Sequence, residues 1–331
     1  MNLPNIRRAL ADYHGPPLTF MEICGTHTAA ISENGIPAIL SPRIHLISGP
    51  GCPVCVSVSA YIDRLCDLAM EPGMCVCTFG DLLRVPGSTR ALEQCVAAGG
   101  RVQMVYSPLE VLSLAKAEPG TRFVFAAVGF ETTAPVYAVL TALKTMPPAV
   151  RALCKGETKI DGFLAPGRVA VITGEGPWHQ LAAAQGLPFV ISGFTGEELL
   201  CSLYALVRLA GQGVCKNLYP AAVRPEGNPA ARALVDRYFA PTDAAWRGLG
   251  ILPGSGLVLR PQYQHLDAGS AQLTTDAAAQ SGCRCAQVIT GAIPPTACPL
   301  FGTACTPGTP RGACMVSGEG SCHNAYLNHR M

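Results

Sequence analysis

The last fifty residues hold six cysteines, Cys283, Cys285, Cys298, Cys305, Cys314 and Cys322, in a glycine- and proline-rich run that includes CPLFGTACTPGTPRGACMVSGEGSC. From about Leu218 onward only residues 229–238 read as a helix, and the rest has too little periodic apolar sequence for an ordinary core. Such a segment needs a staple, and in a reducing compartment a metal group is the natural one. Glycine suits a backbone that wraps such a group and turns its N–H groups toward sulfur. Four thiolates without a well-placed histidine fit a cubane [4Fe-4S] cluster. Structural zinc is the rival, but zinc knuckles place two to four residues between paired ligands, and the spacings here are wide. A thiol-rich tail without metal is the third reading.

The chain carries sixteen cysteines in 331 residues. Residues 1–17 include Arg7, Arg8 and Asp12 and no apolar core, so they do not read as a signal peptide. No stretch approaches 18 uninterrupted apolar residues, which leaves no expected membrane span. The expected location is the cytoplasm, where many cysteines signal metal or redox chemistry more often than structural disulfides. With 49% hydrophobic and 14% charged residues the chain reads as compact and well buried. A net charge of +2 with no Lys/Arg block gives no reason to invoke nucleic acid or an anionic membrane.

Between residues 18 and 213 short apolar runs alternate with helix-like stretches. Strands are expected at 18–23, 44–48, 74–79, 101–106, 122–128, 169–173 and 188–192. Helices are expected at 57–70, 89–98, 109–117, 135–144, 177–185 and 196–209. This alternation argues for an α/β protein with parallel sheets covered on both faces. A weak internal repeat relates FMEICGTHTA at 20–29 to VFAAVGFETT at 124–133, and Ile47-Ser48-Gly49 to Ile191-Ser192-Gly193. The expected organisation is two similar parallel-sheet α/β domains, 18–118 and 119–215, plus an irregular or helical iron–sulfur domain of 1–17 and 216–331.

Three motifs in the α/β region carry candidate chemistry. Gly49-Pro50-Gly51-Cys52-Pro53-Val54-Cys55 lies between an expected strand and a helix opening near Ser57. A Cys-x-x-Cys pair there can close into a disulfide, and a helix N-terminus would favour a thiolate. Glu22-Ile23-Cys24-Gly25-Thr26-His27-Thr28 also ends an apolar strand. Functional groups of open α/β sheets gather at such carboxyl ends, so Cys24 and His27 are expected to face the crevice of Cys52 and Cys55. A soft thiolate with a nearby imidazole suits a transition metal or a proton. Gly129-Phe130-Glu131-Thr132-Thr133-Ala134-Pro135 holds the equivalent place in the second half, where Glu131 is positioned to accept a proton or orient a ligand. Thr132 and Thr133 read as helix caps. Arg224-Pro225-Glu226-Gly227-Asn228-Pro229 reads as a rigid loop entering a helix. Cys66, Cys75, Cys77, Cys95, Cys154, Cys201 and Cys215 read as small core hydrophobes.

EICGTHT at 22–28, GPGCPVC at 49–55, GFETTAP at 129–135, PEGNPAAR at 225–232 and the C-terminal cysteine run occur in one order. From about Leu18 to its end the chain resembles the HypD family of [NiFe]-hydrogenase maturation proteins. The resemblance implies two α/β domains and a third domain with a [4Fe-4S] cluster. The family pattern places fourteen, six and sixteen residues between successive cluster ligands, which selects Cys283, Cys298, Cys305 and Cys322. Cys285 and Cys314 are then unligated neighbours or alternates. The resemblance further implies that a small HypC-type chaperone shares an iron carrying two cyanides and one carbon monoxide, Fe(CN)2CO. Cys24 would help bind it, with His27 close by, while Cys52 and Cys55 would cycle between dithiol and disulfide. The cyanide would come from a thiocyanate on a HypE-type donor. One departure is Arg168 in Pro166-Gly167-Arg168-Val169, where histidine is more usual in the family.

The implied role is a metallocentre assembly scaffold with redox-active thiols rather than a turnover enzyme. The alternative is an iron–sulfur-fed dithiol–disulfide oxidoreductase acting on a protein substrate.

Overall fold

The computed structural model describes residues 2–132, 140–270, 273–277 and 282–328. Its strands are β1 (Leu18–Glu22), β2 (Ile44–Ser48), β3 (Met74–Thr78), β4 (Val102–Met104), β5 (Arg122–Gly129), β6 (Leu140–Lys144), β7 (Gly162–Pro166), β8 (Phe189–Ser192), β9 (Cys215–Asn217), β10 (Phe239–Trp246) and β11 (Gly250–Leu259). They build two sheets. The first is parallel throughout, in the order β2-β1-β7-β8-β9. The second runs β10-β11-β6-β5-β3-β4, parallel from β4 to β6 and closed by the antiparallel β10–β11 hairpin. The α/β class with predominantly parallel sheets is as expected.

Strand pairing does not divide at residue 118. The first sheet takes β1 and β2 from the N-terminal part and β7, β8 and β9 from beyond residue 160, while the second takes β3 to β6 and then recruits the hairpin. The two Ile-Ser-Gly segments of the expected repeat end β2 and β8, which both belong to the first sheet. Residues 1–17 carry a helix that packs on the first sheet. The helix Leu3–Ala11 buries Ile6 and Leu10 against Leu18, Phe20 and the helix Gly196–Leu209.

Side-chain alternation explains why both faces of each sheet are apolar. In the first sheet Phe20, Leu164 and Val190 point to the side of helices Leu3–Ala11 and Gly196–Leu209, while Met21, Phe163, Phe189 and Ile191 enter a second cluster. In the second sheet Val76, Val124 and Ala126 pack with the helix Ser59–Met70, and Cys77, Phe125 and Ala127 pack opposite, with Leu143, Leu257 and Leu259 of the neighbouring strands. The second cluster of the first sheet also takes in Phe130, Trp246 and Leu252 beside the other sheet, together with Cys52, Cys55, Cys285, Cys305, Cys314 and Cys322. The C-terminal segment thus shares a large apolar core with the sheets.

Several element assignments differ from expectation, among them the unexpected helices Gly25–Glu33 and Met146–Cys154. Residues 167–173 form a helix (Gly167–Thr173), and the strand is β7 just before it. Residues 140–144 form β6 rather than the end of a helix, and the remainder of the expected helix, with Thr133, lies outside the described residues. The β10–β11 hairpin was not expected, because Pro241, Pro253 and three glycines break the alternation of its two strands. None of the helices among the described residues is long and apolar enough to cross a membrane.

Candidate thiol and metal site

The first sheet changes direction between β1 and β7: β2 lies on one side of β1, and β8 and β9 follow on the far side of β7. Such a switch point opens a crevice at the carboxyl ends of the two strands. Cys24 follows β1 there and serves as N-cap of the helix Gly25–Glu33. Across from it, after β7, Arg168 donates to the Thr26 hydroxyl at 3.3 Å and stacks 5.0 Å over the Phe194 ring.

The turns bearing Cys24 and Cys52 touch. Gly25 N–H donates to Gly51 O at 3.0 Å, and a Cβ on Gly51 would lie 2.5 Å from Cys24 Cα. Glycine is required at 51 by this approach alone. Cys52 and Cys55 are joined by a disulfide and are buried. The following helix begins at Ser59 with Val58 as N-cap, so its terminus is not placed to favour a thiolate at either cysteine. That part of the expectation is corrected: the pair sits in the turn Cys52–Val56, ahead of the helix, where Val56 N–H donates to Cys52 O.

Cys24 is buried, and desolvation pushes its thiol up to about 12, only partly offset by the His27 backbone N–H. His27 is fully buried. Its Nε2 lies 3.0 Å from Gly193 O, and because a carbonyl only accepts, Nε2 carries the hydrogen. Among the described residues Nδ1 has no hydrogen-bond partner, the ring packs 4.8 Å from Phe194, and burial brings its pKa down to about 4. His27 is therefore a neutral imidazole held against the turn after β8.

Two acids in these motifs join the site without having been assigned a part from sequence. Glu22 is buried at the end of β1, where it accepts from the Cys24 N–H at 3.0 Å and from the Thr28 hydroxyl. Burial raises its pKa to about 7 against those hydrogen bonds. Glu319 accepts from the Thr26 hydroxyl at 2.8 Å and stacks its backbone on Gly25. An acid closing an apolar strand, and another inside GEGSC, were the available signals.

The C-terminal cysteines close around one small cavity. Cys283, Cys285, Cys298, Cys305, Cys314 and Cys322 all line it, with Phe301 and Met315 as apolar walls. Five of the six are buried and Cys283 is half-buried. Cys285 and Cys314 face each other at 2.8 Å between sulfurs. Hydrogen bonding from Cys283 and Cys314, helped by the charge of Arg247, holds Cys285 well below the usual thiol range, while Cys283 and Cys314 are pushed up as its donors. Arg311 N–H points at Cys305 Sγ at 3.3 Å, and a Cβ on Gly312 would lie 2.5 Å from Cys283 Sγ. Backbone N–H aimed at sulfur and close glycine approach are what a sulfur-ligated cluster uses. Among the described residues no three His, Cys, Asp or Glu side chains converge on one point as ligands of a single ion. A ring of thiols instead fits a group that spreads its ligands over several irons.

Glu131 stands apart from both thiol sites. It lines a cavity of about 460 Å³ with Thr173, Gln180 and Arg232, the last from the PEGNPAAR run. Its Oε1 accepts from Met146 N–H at 2.8 Å, Oε2 has no hydrogen-bond partner among the described residues, and burial raises its pKa to about 7. Asn228 caps the helix Pro229–Tyr238 through Ala231 N–H, which gives that loop its rigidity. Cys66, Cys75, Cys77 and Cys95 are buried core residues, and Cys154, Cys201 and Cys215 pack at its edges, as expected.

Fold and site together define a thiol-rich α/β protein, in which a bonded Cys-x-x-Cys turn and a six-cysteine nest share one core. Residues 3–329 match the family described as HypD: Hydrogenase formation hypA family. The chain is 41% identical over 358 residues to the hydrogenase maturation factor HypD of Rhizobium leguminosarum bv. viciae, covering 97% of this chain and 91% of that protein. It is 40% identical over 331 residues to HypD of Rhodobacter capsulatus, covering 92% and 88%. For HypD of Escherichia coli K12 the figures are 39% over 335 residues, 94% and 89%. The chain belongs to the HypD family, and its role is that of a hydrogenase maturation factor.

Proposed function

We propose that this maturation factor is an assembly scaffold, which with a HypC-type chaperone holds an iron while it gains two cyanides and one carbon monoxide. The observation that carries this is the contact between the Cys24 turn and the Cys52–Cys55 turn through Gly51, with the disulfide and the cysteine nest in one core.

Cys24 supplies the thiolate that binds the cargo iron. Its raised pKa means that the iron must displace the proton, and binding is therefore favoured as pH rises. Glu22, held by the Cys24 N–H, fixes the turn on which the thiol stands. His27, neutral and hydrogen-bonded to Gly193 O, anchors the first turn of the following helix. Cys52 and Cys55 as a dithiol reduce the thiocyanate of a HypE-type donor. The S–CN bond breaks, one thiol of the donor and one hydrogen cyanide leave with the two protons, and the Cys52–Cys55 disulfide forms. Restoring the dithiol takes two electrons and two protons.

Cys283, Cys298, Cys305 and Cys322 would hold a [4Fe-4S] cluster, with Cys285 and Cys314 engaged with each other beside it. Such a cluster, when bound, supplies one-electron redox chemistry. Arg311 N–H orients Cys305, and Phe301 and Met315 exclude water.

The test is Cys52→Ala in protein loaded with iron and cyanide donor. Loss of cyanide incorporation with iron binding kept supports the reading. Unchanged incorporation refutes the dithiol role.

A further inference from the structure

Arg247 is the residue of this core that no motif announced. It lies in the turn between β10 and β11 and is 1% exposed. Its backbone N–H donates to Val56 O at 2.9 Å, one residue beyond Cys55. The next residue, Gly248, has φ +80°, and a Cβ there would lie 2.7 Å from Ala286 O, so the turn is wedged against the helix Cys285–Ile289. One side of this turn therefore meets the Cys-x-x-Cys segment and the other meets the cysteine nest.

The side chain carries a permanent charge into this place, since a guanidinium does not give up its proton in a protein. Nε stands 3.3 Å from Asp276 Oδ2, yet among the described residues Nε and Nη2 make no hydrogen bond. Desolvation pulls the guanidinium's pKa down, and the surrounding Cys285, Asp276, Cys314 and Cys283 more than reverse it. A buried cation of this kind is tolerated where negative charge gathers. Asp276 is its ion-pair partner, and Cys285 is the nest thiol held below the usual range beside it.

We propose that Arg247 is a positioning residue that sets the electrostatic potential of the cysteine nest, favouring the more reduced and more negative state of the group held there. The inference rests on the reading that the nest holds an iron–sulfur cluster. Adding an electron to that cluster adds negative charge beside a fixed cation, so the cation raises the reduction potential. Asp276 opposes it: its carboxylate partly cancels the guanidinium, and removing that charge leaves the cation less compensated.

The experiment is a dithionite titration of the anaerobically reconstituted full chain, followed by electron paramagnetic resonance, with iron and sulfide assayed in every sample. Arg247→Gln is expected to weaken reduction about tenfold, a shift of about 59 mV to lower potential for one electron. Arg247→Lys keeps most of the original potential, and Asp276→Asn shifts it upward. A full cluster with unchanged potential in Arg247→Gln overturns the inference, as does a downward or absent shift in Asp276→Asn. Should the Gln variant assemble no cluster, the sign of the Asp276→Asn shift decides alone. Wild-type chain that takes up no iron and sulfide overturns the cluster reading itself, and the inference with it.

Discussion

Thr26 donates its hydroxyl to Glu319 at 2.8 Å across 293 positions of sequence. That bond ties the turn bearing Cys24 to the loop between Cys314 and Cys322, so the two thiol sites are mechanically joined as well as neighbours. Arg168 donates to the same hydroxyl from the end of β7. From the helix Gly167–Thr173 the arginine completes this bridge across the switch point.

The bridge predicts a measurable coupling. Thr26→Val and Glu319→Gln should each destabilise the chain, and their double-mutant cycle should show an interaction of roughly 1–2 kcal/mol, as for a half-buried hydrogen bond to a charged acceptor. Urea unfolding of the four proteins gives the number. Additive effects would mean that the bond contributes nothing to joining the sites.

Gly51→Ala should be costly although the change is one methyl. The added carbon would meet the backbone of Cys24, which belongs to a turn bonded on both sides. Overpacking of this kind costs roughly 1–3 kcal/mol. A wild-type midpoint in denaturant would show that the two turns are not in contact.

Glu131 predicts a pH dependence of stability. Its pKa is about 7 in the folded chain and 4.5 as the ordinary value, so the folded state holds the proton more tightly. Its contribution is fully present below pH 4.5 and is lost as pH rises through 7, on the order of 3 kcal/mol in all. Glu131→Gln should remove this slope and become relatively more stable toward pH 8. Subtracting the two stability curves cancels the same-signed contribution of Glu22 and the opposite one of His27. A pH-independent difference between the proteins would contradict a buried, protonated Glu131.

The nest predicts unequal cysteines. Cys298→Ser and Cys305→Ser should abolish the iron–sulfur chromophore, whereas Cys285→Ser should retain iron and sulfide with an altered spectrum. Equal loss on replacing Cys285 would make it a ligand and displace one of the four.

Sequence made the strands with long apolar runs legible, such as β3 and β5, because burial on both faces leaves few polar interruptions. It missed β10 and β11, where two prolines and a bulge between Thr242 and Ala244 disguise an edge hairpin. Sheet membership was not legible, since nothing local in β1 or β7 says that they pair across 142 residues. The motifs announced Cys24, the Cys52–Cys55 pair and the C-terminal thiols. They did not announce Arg247, whose meaning comes only from the turn that carries it beneath the nest. Nor did they reveal that Glu131, alike in sequence position to His27, lines a separate cavity with Arg232.

The central claim is that one chain holds both a resident cluster and a cargo iron on Cys24. The direct measurement is iron and acid-labile sulfide content, with infrared spectra, on chain purified anaerobically with its small chaperone. The account predicts about four sulfides, more than four irons, and cyanide and carbonyl stretches that vanish in Cys24→Ala. About four irons, about four sulfides and no such stretches would contradict the scaffold and leave a cluster-fed thiol reductase as the better description.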